Sequence, residues 1–162
     1  MLFPLTPPQL RLWRIDQEKW DTLPEFTIER AVDSDLGTAR TAVKSFIGRH
    51  EALRTSVVLR DGVPLLDVSA VEAAAQFISE AAPADPDTPY LSNRLPRQPS
   101  TLIIPGKCSR SFVWEQDGVV KVALRLHHLV LDTWGYSIIR EDFDRFLAGR
   151  SEERRVGKEC VP

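Results

Sequence analysis

Two adjacent histidines, His127 and His128, are the residues whose types and spacing best suit chemistry in this chain. They end a run from Lys121 that alternates between apolar and polar residues, a pattern typical of a half-buried strand. Successive strand side chains point to opposite faces, so His128 lies with the apolar side chains and His127 lies with Arg125. Imidazole titrates near neutral pH and can accept a proton. The pattern predicts one histidine placed for chemistry and one placed for support.

Two other interpretations compete for these histidines. A single histidine on an apolar face is more often a satisfied core residue than a reactive one. A metal site is not expected, because His127 and His128 project to opposite faces and the chain has neither HExxH nor CxxC spacing. His50 falls on the apolar stripe of a predicted helix, and we interpret it as structural.

A hairpin and a helix flank the histidines and must position them. Asp117-Gly118 predicts a turn between two strands, the second of which ends at His128. After Asp132 the apolar period becomes helical, and Gly149 is a natural C-terminal stop. The aligned apolar residues of this helix are Tyr136, Ile139, Phe143, Phe146 and Leu147.

The first half of the chain predicts two further helices. Thr6, with Pro7 after it and Gln9 three residues later, forms a capping-box pattern for a helix that fades near Trp20. Asp33 or Ser34 can cap a longer helix. The apolar stripe of that helix contains Leu36, Ala39, Val43, Phe46, Ile47, His50 and Leu53.

The remaining segments predict strands and a loop. Phe26–Val32 alternates as a strand, although Arg30 breaks the pattern, and the turn at residues 60–63 predicts a hairpin. Residues 71–82 fit either a helix or a strand, and the prolines that follow, up to Pro105, predict a long crossover loop. The expected fold is a mixed α/β domain (an α+β two-layer sandwich) whose helices cover a largely antiparallel or mixed sheet.

Composition excludes several classes of function. The net charge of −2 argues against a nucleic-acid binder, and no apolar run approaches the roughly 18 residues of a membrane helix. Cys108 and Cys160 show no metal or disulfide spacing, which fits a reducing compartment. We therefore expect a soluble, cytoplasmic chain.

Residues 150–162 differ in kind from the rest of the chain. They are charged and have no apolar face. Their sequence is similar to the translation of a common sequencing adapter, and we interpret them as read-through, with an ordinary charged tail as the alternative. In either case they lie outside the fold.

Three motifs together resemble one family, the condensation domains of nonribosomal peptide synthetases, which are relatives of chloramphenicol acetyltransferase. Residues 5–13 resemble its opening element with Gln9 and Trp13, residues 49–55 match RHExLRT at every fixed position, and residues 127–132 match HHxxxD. An isolated HHxxxD would be weak evidence, but the three motifs occur in order. The resemblance covers residues 1–149 and implies the N-terminal lobe of a two-lobed domain with the chloramphenicol acetyltransferase-like fold.

The resemblance implies acyl transfer in antibiotic and other secondary metabolism. In the family, an amine on one carrier protein attacks an acyl thioester on another, and both substrates are held by phosphopantetheine. By motif position, His128 is the general base or amine-positioning group. The lobe itself would bind no cofactor, and its partners would be acyl or peptidyl carrier proteins and the missing C-terminal lobe.

The same resemblance implies supporting roles. Asp132 corresponds to a structural acid that pairs with Arg54, and His127 would hold the catalytic loop by hydrogen bonding. Thr133 departs from the family, which usually has glycine there, so it could narrow the channel or alter the loop. Its backbone N–H could still stabilise oxyanion charge.

Two alternatives remain open at this point. The chain could be a non-catalytic module or decayed fragment that docks carrier proteins, or a small-molecule acyltransferase that uses coenzyme A thioesters. In the leading interpretation the isolated lobe is inactive, because one wall of the cleft is missing.

Overall fold

The computed structural model describes residues 1–18, 25–76, 78–80 and 108–148. The elements in these ranges are β1 (Leu2–Pro4), α1 (Pro7–Glu18), β2 (Glu25–Val32), α2 (Leu36–Arg49), a 3-10 helix (Glu51–Arg54), β3 (Thr55–Arg60), β4 (Val63–Val68), α3 (Val71–Ala75), β5 (Ile78–Ser79), β6 (Ser109–Gln116), β7 (Val119–His127) and α4 (Thr133–Leu147). The predicted end of α1 near Trp20, most of the crossover loop, Gly149 and the charged tail lie outside the described residues.

The described strands form two sheets. A three-stranded antiparallel sheet has the order β1-β4-β3, and a four-stranded sheet has the order β2-β7-β6-β5. In the second sheet β5 runs parallel to β6 and the other pairs are antiparallel. The mixed α/β class is confirmed. The separate first sheet was not predicted, because β1 is too short to show alternation.

The second sheet positions the histidines, because its strand β7 pairs with a neighbour on each side. Phe26 of β2 lies opposite Leu126, and Ile28 lies opposite Leu124. Since opposite residues share a face, these apolar side chains form one surface, which α2 and α4 cover. The buried members from the two helices are Ala39, Val43, Phe46, Ile47, Tyr136, Ile139 and Phe143.

The opposite face of this sheet is also buried, which the alternation did not predict. Arg125 is only 4% exposed and His127 only 6% exposed. Nearby on this face, Phe112, Trp114 and Ala123 form a small apolar cluster. The polar residues that alternate with apolar ones in β7 are therefore not exposed to solvent. His127 is buried, whereas His128 is only half-buried.

Arg30, which breaks the apolar pattern of β2, has a partner on α4. Its guanidinium donates two hydrogen bonds to the Asp144 carboxylate, at 2.7 and 3.0 Å. These hydrogen bonds raise the pKa of Arg30 above its ordinary value. The exception to the strand pattern thus ties β2 to α4.

The predicted hairpin turns are confirmed. Asp61 and Gly62 have φ angles of 51° and 78°, and Asp117 and Gly118 have φ angles of 53° and 75°. Two consecutive left-handed residues are typical of the type I′ turn, whose twist matches that of paired strands. The two turns join β3 to β4 and β6 to β7.

The long helix α2 is shorter than its stripe predicted. Asp35 caps its start by accepting a hydrogen bond from the Thr38 backbone N–H at 2.9 Å. Hydrogen bonds from Thr38 hold the pKa of the Asp35 carboxyl below its ordinary value. Leu36 is 41% exposed, and the helix ends at Arg49, where the backbone of His50 becomes extended before the 3-10 helix. The segment from Glu51 to Arg54 thus turns tightly into β3.

The ambiguous segment after residue 70 contains both predicted structures. Val71–Ala75 forms the short helix α3, and Ile78–Ser79 forms the edge strand β5. In the part of the chain that the structure describes, no helix is long and apolar enough to cross a membrane.

Candidate active site

The site is a tight loop between β7 and α4. Strand β7 ends at His127, and the Val130 N–H donates to the His127 carbonyl oxygen at 3.1 Å. This hydrogen bond joins residues three apart and closes a turn that has His128 and Leu129 at its centre. We call residues 127–131 the histidine turn.

The His128 imidazole is oriented by a backbone carbonyl. Its Nδ1 lies 2.8 Å from the Leu131 carbonyl oxygen. A carbonyl oxygen can only accept a hydrogen bond, so Nδ1 must carry a proton. In the neutral ring Nε2 then keeps its lone pair, which is the state that a general base needs.

Aromatic contacts fix the plane of the His128 ring. Its centroid lies 5.5 Å from that of Phe26, and the two planes are at 85°. Phe26 in turn stacks on Tyr136 of α4 at 4.9 Å, and the Tyr136 hydroxyl donates to the Thr27 carbonyl oxygen at 3.2 Å. Strand β2 and helix α4 therefore support the imidazole from the apolar face of the sheet, as the alternation predicted for His128.

His127 is used inside the turn. Its Nδ1 accepts a hydrogen bond from the Leu129 N–H at 3.0 Å. This role requires Nδ1 to be unprotonated, which is the opposite tautomer to that of His128. The two neighbouring imidazoles therefore have different functions: one completes the backbone hydrogen bonding of the turn, and the other leaves a basic nitrogen available.

Asp132 caps α4. Its carboxylate accepts a hydrogen bond from the Gly135 N–H at 2.7 Å. A Cβ atom on Gly135 would lie 3.0 Å from Leu131 Cδ1 and 3.2 Å from Asp132 Oδ1. Glycine therefore permits the close first turn of α4 against the histidine turn.

Thr133 is the first residue of α4 and is exposed. Among the described residues, the non-glycine positions with positive φ are Asp61 and Asp117. Thr133 therefore adopts an ordinary backbone conformation, and the sequence departure at this position introduces no backbone strain.

The ion pair that was predicted between Arg54 and Asp132 is not among the contacts that the structure describes. Arg54 donates to the Ser69 carbonyl oxygen at 2.8 Å, and its guanidinium lies 3.6 Å from the Glu51 carboxylate. Asp132 is exposed, and its carboxylate is used by the helix cap. In this structure each of the two groups therefore has a partner other than the one the motifs implied.

Two supporting contacts were not predicted as such. Gln9 of α1 donates from Nε2 to the Leu129 carbonyl oxygen at 3.3 Å. His50 Nε2 lies 2.8 Å from the Asp142 carboxylate, and Arg49 lies 3.8 Å from the same group. The sequence marked Gln9 as a capping residue and His50 as structural, but their partners are too distant in sequence to infer.

The described residues around the histidines supply no metal site, and one cavity lined by described residues lies elsewhere. In the described ranges, no group of three or more His, Cys, Asp or Glu side chains could hold a metal ion. A cavity of about 510 Å³ lies at the other end of β2, beside Val32 and the Arg30–Asp144 pair. Val32 is about 20 Å along the strand from Phe26, so this cavity is separate from His128.

Comparison with curated proteins gives two relatives of very large size. Cyclosporin synthetase simA from Tolypocladium inflatum is 26% identical over 149 residues, and nonribosomal peptide synthetase kk1B from Curvularia clavata is 25% identical over 155 residues. Each match covers 86% of this chain and 1% of the relative. No family model matches the chain.

Solved structures with the same fold include three proteins of related description. The starter condensation domain of the rhizomide synthetase RzmA has a TM-score of 0.59 at 17% identity, over 91% of this chain and 38% of that one. The tallysomycin biosynthesis protein TlmII gives 0.60 at 12%, over 93% and 39%. A structure describing condensation-domain chain release from the enacyloxin polyketide synthase gives 0.60 at 19%, over 92% and 31%. The resemblance predicted by the three motifs is confirmed, and the fold is that of a condensation domain.

Proposed function

We propose that this chain, with its condensation-domain fold, supplies the histidine-bearing half of an acyl-transfer site in nonribosomal peptide biosynthesis. The complete protein would join a carrier-bound acyl thioester to a carrier-bound aminoacyl group. The observation that carries the proposal is the fixed orientation of His128, whose Nδ1 donates to the Leu131 carbonyl oxygen and whose Nε2 keeps a lone pair.

The proposed step follows from this orientation. The acceptor nitrogen attacks the thioester carbonyl carbon, so a carbon–nitrogen bond forms and the carbonyl oxygen gains negative charge. His128 Nε2 takes the proton that the attacking nitrogen loses. When the carbon–sulfur bond breaks, that proton passes to the departing thiolate of the phosphopantetheine arm. The thioester is already activated, so the protein needs no covalent nucleophile.

The N-terminus of α4 can assist the charged intermediate. Helix N-termini favour negative charge, and α4 begins at Thr133, five residues after His128. Asp132 already occupies the Gly135 N–H, and we take the backbone N–H of Thr133, the first residue of the helix, as the candidate oxyanion donor. The threonine side chain would narrow the approach relative to glycine without changing the backbone.

The proposed partners are acyl or peptidyl carrier proteins and the rest of the condensation domain, in a cytoplasmic synthetase. The chain spans about 1% of the curated relatives and 38% of the RzmA structure, and we therefore propose these partners and this activity for a larger assembly that would include the chain. Trp134, which is 77% exposed, and Ile138, one turn further along α4, form an apolar surface next to the histidine turn. We expect the second lobe to cover this surface, and we expect the 162-residue chain alone to be inactive.

The proposal can be tested in the complete condensation domain with loaded carrier proteins, by following the condensed product with mass spectrometry. We expect His128→Ala to lower the rate at least about 100-fold, because general base catalysis contributes roughly 10²–10⁴-fold. Lys44→Ala, an exposed change on α2, is the matched control and should keep full activity.

Three outcomes would contradict the proposal. Undiminished product from His128→Ala would remove the role of His128. Carrier binding without product by the unaltered domain would favour a docking module. Turnover with coenzyme A thioesters alone would favour a small-molecule acyltransferase.

A further inference from the structure

The side-chain amide of Gln9, in the first turn of α1, forms hydrogen bonds through both its oxygen and its nitrogen. Gln9 Oε1 accepts hydrogen bonds from the Thr6 backbone N–H at 3.0 Å and from the Thr6 hydroxyl at 2.9 Å. The Gln9 backbone N–H lies 3.5 Å from Thr6 Oγ1, which completes a reciprocal capping box. These contacts fix the orientation of the amide, because they identify the oxygen side.

The nitrogen side of the same amide reaches the histidine turn. Gln9 Nε2 donates to the Leu129 carbonyl oxygen at 3.3 Å, across 120 residues of sequence. The Leu129 side chain is buried in a cluster with Val57 and Cys108, and Leu12 and Trp13 of α1 pack against that cluster. Helix α1 therefore holds Leu129 through its backbone and through its side chain.

The hydrogen bonds of the turn show what the Gln9 contact fixes. In the peptide unit between Leu129 and Val130, the carbonyl accepts from Gln9 and the N–H donates to the His127 carbonyl oxygen. The peptide unit before it is held by the bond from the Leu129 N–H to His127 Nδ1. Hydrogen bonds therefore hold the peptide units before and after Leu129. Two residues further on, the Leu131 carbonyl oxygen orients the His128 ring.

We propose that Gln9 is a positioning residue for His128, and that its amide nitrogen holds the histidine turn in the shape that presents Nε2 to substrate. The inference rests on the proposed function of His128. A glutamate would serve the capping box equally well, since either residue can accept from the cap. Only glutamine can also donate to a carbonyl oxygen, so the amide is required by the turn and not by the helix.

Gln9→Glu changes the size of the side chain little, and it separates the capping of α1 from the hydrogen bond to Leu129. It keeps the oxygen that accepts from Thr6, removes the donor to Leu129, and places a carboxylate oxygen against the Leu129 carbonyl. The helix should remain capped, because a negative charge is favourable near a helix N-terminus. We therefore expect the melting temperature of the chain to stay close to that of the unaltered protein.

The readout is the tautomer of His128 in chain labelled with ¹⁵N-histidine, measured from the imidazole nitrogen shifts. In the unaltered protein, the neutral His128 ring should carry its proton on Nδ1. We expect Gln9→Glu and the uncharged, similarly long Gln9→Met to mix the two tautomers. In the complete domain, both variants should lower kcat about tenfold with KM for the carriers unchanged, because small displacements of a reacting group are costly.

Thr6→Val is the matched control. It removes the hydroxyl of the capping box and leaves Gln9 Nε2 in place, so it should lower the melting temperature while the His128 shifts stay as they are. Gln9→Glu shifts that match the unaltered protein, or Thr6→Val shifts that match Gln9→Glu, would overturn the inference. If His128→Ala retained activity while Gln9→Glu still changed the tautomer, the proposed function of His128 would be wrong. The inference that Gln9 positions the histidine turn would still be correct.

Discussion

Strand β7 has a turn at each end, and the two turns are built in different ways. At its start, the β6–β7 hairpin uses Asp117 and Gly118, both with positive φ and both exposed. At its end, the histidine turn uses side chains that hydrogen-bond to backbone groups, including one from Gln9 at the other end of the chain. The first turn needs only its own residues, whereas the second is shaped by the fold around it. A turn of the second kind can hold a reactive ring in a specified orientation.

The largest difference between the two turns should be in how much a substitution at each turn lowers the free energy of unfolding. Leu129→Ala removes a fully buried side chain and should lower the free energy of unfolding by about 3 kcal/mol, measured by urea denaturation. Val119→Ala, next to the hairpin and exposed, should change it by less than about 0.5 kcal/mol. Equal losses at the two sites would mean that the histidine turn is no more dependent on packing than the hairpin.

A smaller effect is expected where the histidine turn enters α4. Asp132→Ala removes the helix cap and should lower the free energy of unfolding by about 1 kcal/mol. Because Arg54 bonds to Ser69 and Glu51, the double variant with Arg54→Ala should be additive within about 0.5 kcal/mol. A coupling energy above about 1 kcal/mol would restore the ion pair between Arg54 and Asp132 that the motifs predicted.

The smallest effect should come from Asp35, the N-cap of α2. Like the β6–β7 hairpin, this cap depends only on residues close in sequence. Its folded-state pKa is lowered, so its ionised form stabilises the protein above its ordinary pKa of 3.8. That contribution is lost as the pH falls through the folded-state pKa. Asp35→Asn keeps a capping oxygen and cannot ionise, so its melting temperature should be lower than that of the unaltered protein at pH 7, and the difference should shrink as the pH falls below 3.8. A difference that widens toward pH 2 would contradict this assignment.

Local features could be predicted from the sequence because their causes lie within a few residues. Both Asp-Gly turns, the capping box of Thr6 and Gln9, and the buried stripe of α4 appear in the structure as expected. The side on which His128 lies also followed from alternation, because a strand has only two faces. Each of these predictions depends on backbone geometry that neighbouring residues determine.

What could not be predicted depends on contacts distant in sequence. The alternation predicted a half-buried strand, but the face that carries Arg125 and His127 is buried as well. The hydrogen bond from Gln9 to Leu129 joins residues 120 apart, and the apolar stripe did not mark the end of α2 at Arg49. The partner of Arg54 was inferred from the motifs alone, and the local cap of α4 competes for the same carboxylate of Asp132.

The separation of 120 residues between Gln9 and Leu129 also has a consequence for the order of folding. The β3–β4 and β6–β7 hairpins join neighbouring strands and can form early, because the loops they close are short. The histidine turn cannot complete its hydrogen bonds until α1 meets a segment that is synthesised about 120 residues later. We expect α1 to remain undocked until the histidine turn has been synthesised, and His128 to be among the last groups of this region to reach its final position.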